Sequence, residues 1–340
     1  MVERKLRWGI MSTANIGRVA VIPAILSSKN GEVVAVASRD AQKAAEFATS
    51  LGISKSYGSY EALLDDETIE AVYIPLPNSL HYEWIIRAAK AGKHILCEKP
   101  LALNAAQYLE ISAAVKEYNV LLLEAFMYRF HPRTEKMVEL VQVAGALGSL
   151  RMIQSSFTFK LTLLDNIRLR ADLGGGALMD VGCFCVNISR TLAGEEPVAV
   201  QATAQWTTTG VDEQLAGTLR FDNGLLAQFD CALNMARRET VVVACSDGYF
   251  NAPAAFLPGK EKVLLHEFQN REEIQYEFAG CDEYQLMLEH FGECVLMCQP
   301  LRYSAEEAAA NMRVIEALYQ SARQDGSWQS VLPLNRQVRG

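Results

Sequence analysis

Positive charge is in short supply. Against 40 acidic residues the 340-residue chain carries 32 lysines and arginines, a formal net charge of −8. Nucleic acid and anionic membrane surfaces both demand concentrated positive charge, so neither is an expected partner. The chain also lacks a CxxC pair and any Cys/His set at metal-ligand spacing. Its eight cysteines, at 97, 183, 185, 231, 245, 281, 294 and 298, are scattered through apolar stretches. No metal site is expected, and the thiols read as reduced, buried residues of a reducing compartment. No run of 18 apolar residues occurs and no apolar leader precedes "LRWGIM", so a soluble, cytoplasmic protein is expected.

Glycine is missing where a dinucleotide-binding turn would want it. The turn normally has glycine at its first, third and sixth positions, and "RWGIMSTANIGR" offers Ser12, Ala14 and Gly17. Small residues can replace glycine if the turn avoids positive φ. Ser12 could offer a hydroxyl to phosphate, and Gly17 keeps the position where helix packs closely on strand. Alone, the stretch is equally compatible with an ordinary strand and helix.

The chain from residue 5 to about 125 is rhythmic. Short unbroken apolar strands ("LRWGIM", "EVVAVAS", "AVYIPL", "HILCE", "VLLLEAF") alternate with amphipathic helices, the pattern of a parallel sheet covered on both faces. Beyond that, longer strands succeed one another. "LAGTLRFDNGLLAQFDCAL" predicts a hairpin with a two-residue turn at Asn223-Gly224. Helices are expected at about 176–193, 282–298 and from Ser304, where Ser304 and Glu307 form a capping-box pattern. The expected fold is α/β: a Rossmann-type doubly wound domain over 1–125, then an α+β domain over 126–340 with a large, mostly antiparallel open sheet. The outer face of that sheet is a plausible homodimer or homotetramer contact.

Two segments carry chemistry. The second strand ends in "VAVASRD", with Ser38 and Arg39 where an acidic residue would grip the ribose of NAD. A hydroxyl and a guanidinium suit a 2'-phosphate, which favours NADP over NAD, with Lys43 a further cation one turn later. "CEKPLAL" (97–103) closes the fifth strand at the sheet edge where such folds bind ligands. A lysine there can exchange a proton with a substrate hydroxyl as hydride leaves the carbon.

With "STANIG", "SRD", "PLPNSLH" and "EKPLAL" in register, the chain resembles the family of glucose-fructose oxidoreductase and inositol dehydrogenase. The likeness continues through "EAFMYRFHP", "LGGGALMDVGCFCVN", "EYQLMLEHF" and "NMRVIEAL", over nearly the whole length. Within the family it is similar to the branch of NADP-dependent xylose 1-dehydrogenases and dihydrodiol dehydrogenases. The resemblance implies hydride transfer between NADP and a sugar or related polyol. Lys99 matches the catalytic lysine, and Glu98 its neighbour near the nicotinamide, before a commonly cis proline. Ser12, Thr13, Ala14, Asn15, Ile16, Pro75, Leu76, Asn78, His81 and Arg129 join the expected cofactor contacts. Asp180 matches the acid that orients substrate, while Asn166, Arg168 and Tyr128 match substrate-side positions. Arg170 reads as a charge-paired surface residue, and the glycine-rich loop 163–176 as a candidate lid.

One position departs from the family. Four residues after Asp180, on the same helical face, relatives usually carry a tyrosine or histidine that transfers a proton; here it is Phe184. Lys99 acting alone, or with Asp180 or an ordered water, is the favoured reading. Tyr128 or His131 taking the role, or a disabled centre, are the alternatives. A non-catalytic NADP sensor and a redox-assisted glycoside hydrolase or lyase are the rival functions.

Overall fold

Strands with no polar residue to turn outward can only lie inside a sheet covered on both sides, as "AVYI" (71–74) does. The computed structural model describes residues 4–142, 147–163 and 165–331. In it β1 (Leu6–Met11), β2 (Gly31–Ala37), β3 (Lys55–Tyr57), β4 (Ala71–Ile74), β5 (His94–Cys97) and β6 (Leu122–Glu124) pair in parallel, in the order β3-β2-β1-β4-β5-β6. All four residues of β4 are buried. The order reverses between β1 and β4, where the carboxyl ends of strands in such sheets leave a ligand crevice. The connecting helices are α1 (Ile22–Ser27), α2 (Ala41–Leu51), α3 (Tyr60–Leu64), α4 (Asn78–Lys90) and α5 (Ala105–Glu117). Local chemistry starts them: Asp40, Ser59 and Asn104 each accept backbone N–H groups at the heads of α2, α3 and α5. A cap of this kind contributes about 1 kcal/mol.

The second sheet has nine strands: β7 (Leu150–Lys160), β8 (Ala199–Trp206), β9 (Asp212–Arg220), β10 (Leu226–Ala232), β11 (Asn234–Cys245), β12 (Gly248–Pro253), β13 (Val263–Gln269), β14 (Glu272–Phe278) and β15 (Gln329–Ser330). Their order is β14-β13-β12-β11-β7-β10-β9-β8-β15, and β7 with β10 is the parallel pair. Helices α6 (Pro132–Gln142) and α7 (Cys183–Ala193) belong to the same unit. The β9–β10 connection is longer than the expected two-residue turn. Phe221 pairs with Leu225, Gly224 takes φ +86°, and the Asn223 side chain accepts the Leu225 N–H at 2.8 Å. Glycine supplies the left-handed residue that closes a three-residue hairpin.

The chain forms two compact units: Met1–Met127 with Asp282–Ala308, and Tyr128–Cys281 with Ala309–Gly340. A reading in continuous segments does not contain this return. Helix α8 (Glu283–Met297) belongs to the first unit, with Phe291 5.3 Å from Trp8 between ring centroids and the Asn30 side chain donating to the Glu289 carbonyl at 2.7 Å. Helix α9 (Ala305–Arg323) comes next along the chain.

None of the cysteines is in a disulfide. Cys97, Cys183, Cys185, Cys231 and Cys294 are buried, whereas Cys245 and Cys281 are half-buried and Cys298 is exposed, against the expectation of uniform burial. Among the described residues one helix, Ala171–Ala193, is long and apolar enough to cross a membrane, and 72% of that window is buried inside the protein.

Candidate active site

The loop after β1 does not avoid positive φ, contrary to expectation. Ser12 sits at φ +150°, a conformation that L-residues rarely adopt and that costs on the order of 1–3 kcal/mol. Its own side chain offsets part of this: Oγ accepts the Ala14 N–H at 3.0 Å and lies 3.4 Å from the Pro75 carbonyl. Glycine at 17 is also less constrained than expected. An added Cβ would meet Ile10 and Tyr73 at 3.9 Å, ordinary van der Waals contact. A π-turn, Gly17–Val21, leads into α1, and no side chain caps it at Ile16. Thr13, Ala14 and Ile16 are half-buried and Asn15 is exposed.

At the end of β2 the carboxylate is occupied elsewhere. Asp40 accepts the N–H groups of Gln42 and Lys43 at 3.0 and 3.1 Å, which turns it into the head of α2. Ser38 is buried, with Oγ 3.2 Å from the Asp40 N–H. Arg39 and Lys43 are exposed, and the Arg39 guanidinium hydrogen-bonds the Tyr60 phenol, opposing the upward push that burial gives that group. A hydroxyl and two cations fit a nucleotide carrying a 2'-phosphate.

Lys99 lies just beyond β5 and is half-buried, and its peptide with Pro100 is cis, as the resemblance implies. The neighbours of Lys99 are tied to the protein by buried groups. Tyr73 donates to the Glu98 carboxylate at 2.7 Å, and the Glu98 N–H donates to Ile74 at 3.1 Å. His81 is fully buried, and its ring nitrogens lie 2.7 Å from the carbonyls of Pro100 and Leu76. The ring expected to face a cofactor thus has a main-chain carbonyl beside each nitrogen. Burial, and secondarily the Lys99 charge, lower its pKa to about 4 against the pull of the two carbonyls. A neutral ring carries a single N–H, so it donates to one of them. Pro75 and Leu76 are buried and Asn78 is half-buried at the head of α4.

In the second unit the acid and the aromatic position are neighbours. Asp180 lies in a π-turn, Leu178–Gly182, that runs into α7, a winding found at functional sites. Arg168 Nε donates to Asp180 Oδ2 at 2.6 Å, and the Arg168 N–H donates to Asn166 Oδ1 at 3.1 Å. The head of the helix rests on Asp212, which accepts the Leu178 N–H and the Tyr319 hydroxyl, both at 2.7 Å; burial raises its pKa to about 6. Gly175 and Gly176 are required here: a Cβ would come within 2.4 Å of the Arg168 carbonyl and 2.1 Å of Asp212 Oδ1 respectively. The expected lid includes Leu164, outside the described residues; its remainder is braced by such contacts and by Thr209 donating to the Leu169 carbonyl at 2.7 Å. Arg170 pairs with Asp172 on the surface.

Phe184 is sunk in a cluster with Phe157, Phe256 and Tyr128, at centroid distances of 5.4, 5.6 and 5.8 Å. Tyr128 is fully buried and donates to Asn187 Oδ1 at 2.6 Å. His131, buried, accepts the Arg133 N–H at 3.0 Å, and burial, with Arg133 second, lowers its pKa to about 4. Arg129 is half-buried on the adjoining turn Met127–Phe130. Among the described residues no three His, Cys, Asp or Glu side chains gather as a metal-ligand group.

These features are those of one family. Residues 6–126 match the model of the oxidoreductase family GFO_IDH_MocA, described as having an NAD-binding Rossmann fold, and residues 134–251 match its C-terminal domain. The chain belongs to the GFO/IDH/MocA oxidoreductases. It is 39% identical over 320 residues to D-xylose 1-dehydrogenase (NADP(+)) 2 of Haloferax volcanii, covering 93% of this chain and 97% of that one. It is 32% identical over 297 residues to trans-1,2-dihydrobenzene-1,2-diol dehydrogenase of Xenopus laevis, covering 85% and 89%. Among solved structures it resembles a 3-ketoreductase from Actinomadura kijaniata in complex with NADP and TDP-benzene, with TM-score 0.89, 28% identity, and 94% and 98% of the chains covered. Aldose-aldose oxidoreductase from Caulobacter crescentus, complexed with glycerol, gives TM-score 0.88, 27% identity, and 96% and 100% coverage.

Two side chains described above, Tyr73 beside Glu98 and Asp212 under the Leu178 helix head, belong to no motif in the sequence, nor does Tyr108; Glu124, on β6, stands among apolar residues. Glu124 alone leaves a signal, a lone acid inside the apolar "VLLLEAF".

Proposed function

We propose that the protein is an NADP-dependent oxidoreductase that interconverts a hydroxyl-bearing carbon of a sugar or related diol with its carbonyl. The observation that carries this reading is Lys99, held after β5 at the carboxyl edge of the parallel sheet in a chain 39% identical to an NADP-dependent xylose dehydrogenase. NADP accepts or returns the hydride when bound. In the oxidative direction the neutral Lys99 amine takes the substrate hydroxyl proton at Nζ and becomes ammonium; in reduction it gives the proton back. Asp180, with Arg168 on one oxygen, orients the substrate through hydroxyl hydrogen bonds. The loop 12–16 meets the pyrophosphate, and Ser38 with Arg39 and Lys43 meets the 2'-phosphate. Phe184 has no proton to exchange, so the work of proton transfer falls to Lys99.

The test is turnover of a panel of aldoses and vicinal diols with NADP and NAD. Lys99→Ala is expected to lower kcat by roughly 10³-fold, within the range of a general acid–base group. Full turnover in that variant, or tighter binding of NAD than of NADP, would overturn the reading. The finer expectation is a cytoplasmic homodimer or homotetramer built on the nine-stranded sheet, where Trp206, Leu226, Tyr249 and Ile274 are exposed. A monomeric mass by light scattering would exclude that assembly.

A further inference from the structure

Four consecutive residues, Glu98 to Leu101, carry Lys99, and buried groups grip them at several points. The last of these grips comes from β6. Glu124, a buried carboxylate at the end of that strand, accepts the Leu101 N–H on Oε1 at 3.1 Å. The Tyr108 hydroxyl of α5 lies 2.9 Å from the same N–H and donates to the same Oε1 at 3.2 Å. The main chain of Glu124 is held as well: its carbonyl accepts the Tyr303 hydroxyl at 2.5 Å and the Phe126 N–H at 2.8 Å. The next residue, Ala125, donates to the Cys97 carbonyl at 2.8 Å, so the ends of β5 and β6 are locked in register on either side of the segment.

Leu101 itself is fully buried, and without an acceptor its N–H would stand in apolar surroundings. A serine or an amide could serve as acceptor there. The carboxyl group does so with one oxygen, Oε1, which takes both the Leu101 N–H and the Tyr108 hydroxyl. Its field extends along the strand end, where it is among the influences raising the Cys97 thiol, after burial and Glu98.

We propose that Glu124 is a positioning residue for Lys99: with Tyr108 it anchors the Leu101 N–H, beside a Pro100 carbonyl that lies 2.7 Å from His81 Nδ1, and so fixes the backbone from which the lysine projects. The inference rests on the reading that Lys99 exchanges the substrate proton. A lysine on an unanchored loop would sample many placements, and a shift of about 1 Å in a proton-transfer group can cost roughly 10²-fold in rate.

The experiment uses the full chain with NADP and its best substrate, comparing Glu124→Leu, Glu124→Gln and Tyr108→Phe. Glu124→Leu is expected to lower kcat by about 10²-fold, with KM and the NADPH dissociation constant within about threefold of wild type. Glu124→Gln, which keeps an acceptor for Leu101, is expected to restore kcat to within about threefold. Amide hydrogen exchange at Leu101 reads the anchor without turnover, and it should quicken at least about tenfold in Glu124→Leu and little in Glu124→Gln. An unchanged kcat in a folded Glu124→Leu, a loss confined to KM or NADPH affinity, or a Gln variant as poor as Leu would each overturn the proposal. If the leucine variant does not fold, Tyr108→Phe decides: faster Leu101 exchange with a severalfold lower kcat supports the anchor, and no change in either removes it. Lys99→Ala separates the two levels, because full turnover there overturns the role of the lysine whatever the Glu124 variants do.

Discussion

The segment around Lys99 and the helix head around Asp180 hold their functional side chains with different shares of hydrogen bonding and packing. Around Lys99 the fixing groups are polar and buried: Tyr73, Tyr108 and Glu124 bond the main chain or carboxylate of residues 98–101, and His81 Nδ1 lies 2.7 Å from the Pro100 carbonyl. Around Asp180 polar contacts share the work with packing: Arg168 bonds the carboxylate and Asp212 accepts the Leu178 N–H, while two glycines admit no Cβ and Phe184 is wedged among three other rings. Hydrogen bonds fix a direction, which a proton-transfer group needs. Packing fixes a surface, which suffices to shape a wall and to present one carboxylate.

The contrast is most severely exposed at Gly176. It combines φ +123° with a Cβ position 2.1 Å from Asp212 Oδ1, so Gly176→Ala is expected to cost about 3 kcal/mol or more, read as a fall in Tm. An unchanged Tm would mean that the helix head is held more loosely than its steric contacts require.

Asp212 gives a test with a sign. Its folded pKa, raised to about 6 by burial, lies above the ordinary carboxylate value of about 3.9. The folded state therefore binds the proton more tightly, and the stability so gained is fully present below pH ~4 and lost as pH rises through about 6, a swing of about 3 kcal/mol. His131 works oppositely: with its pKa lowered to about 4, its contribution is present above pH ~6.5 and lost as pH falls through 4. Asp212→Asn is thus expected to steepen the fall in stability between pH 6 and 4, tracked by denaturant unfolding. An identical slope in wild type and variant would contradict the buried, proton-hungry carboxylate.

The smallest expected effect is the most direct probe of the contrast. Phe184→Tyr adds a hydroxyl to an aromatic cluster in which the Tyr128 hydroxyl already donates to Asn187. It is expected to lower stability by about 1–2 kcal/mol and to leave kcat within about threefold. A tenfold rise in kcat would show that this helix face can still host proton transfer and that Lys99 need not act alone.

Much of the fold and part of the site are legible in the chain. Unbroken apolar strands such as "AVYI" and "HILC" announce a doubly covered parallel sheet, because side chains without polar alternation have nowhere else to go. "EKP" announces a lysine at a strand end, and the family resemblance lends Asp180 and Phe184 their significance. Strain at Ser12 is not legible, since small residues in a turn suggest an undemanding backbone. Nor is the placement of His81 between two carbonyls, or the return of 282–308 to the first unit.

Local pattern sets which segments become strands and helices and which residue types meet a cofactor, because propensity, capping and periodicity act over a few neighbours. Tertiary structure decided that a glutamate on β6, a tyrosine on α5 and a histidine on α4 converge on one short stretch of backbone between Glu98 and Leu101. Such convergence depends on long-range hydrogen-bond geometry, which leaves only a faint trace in the order of the residues: one acid in an apolar strand.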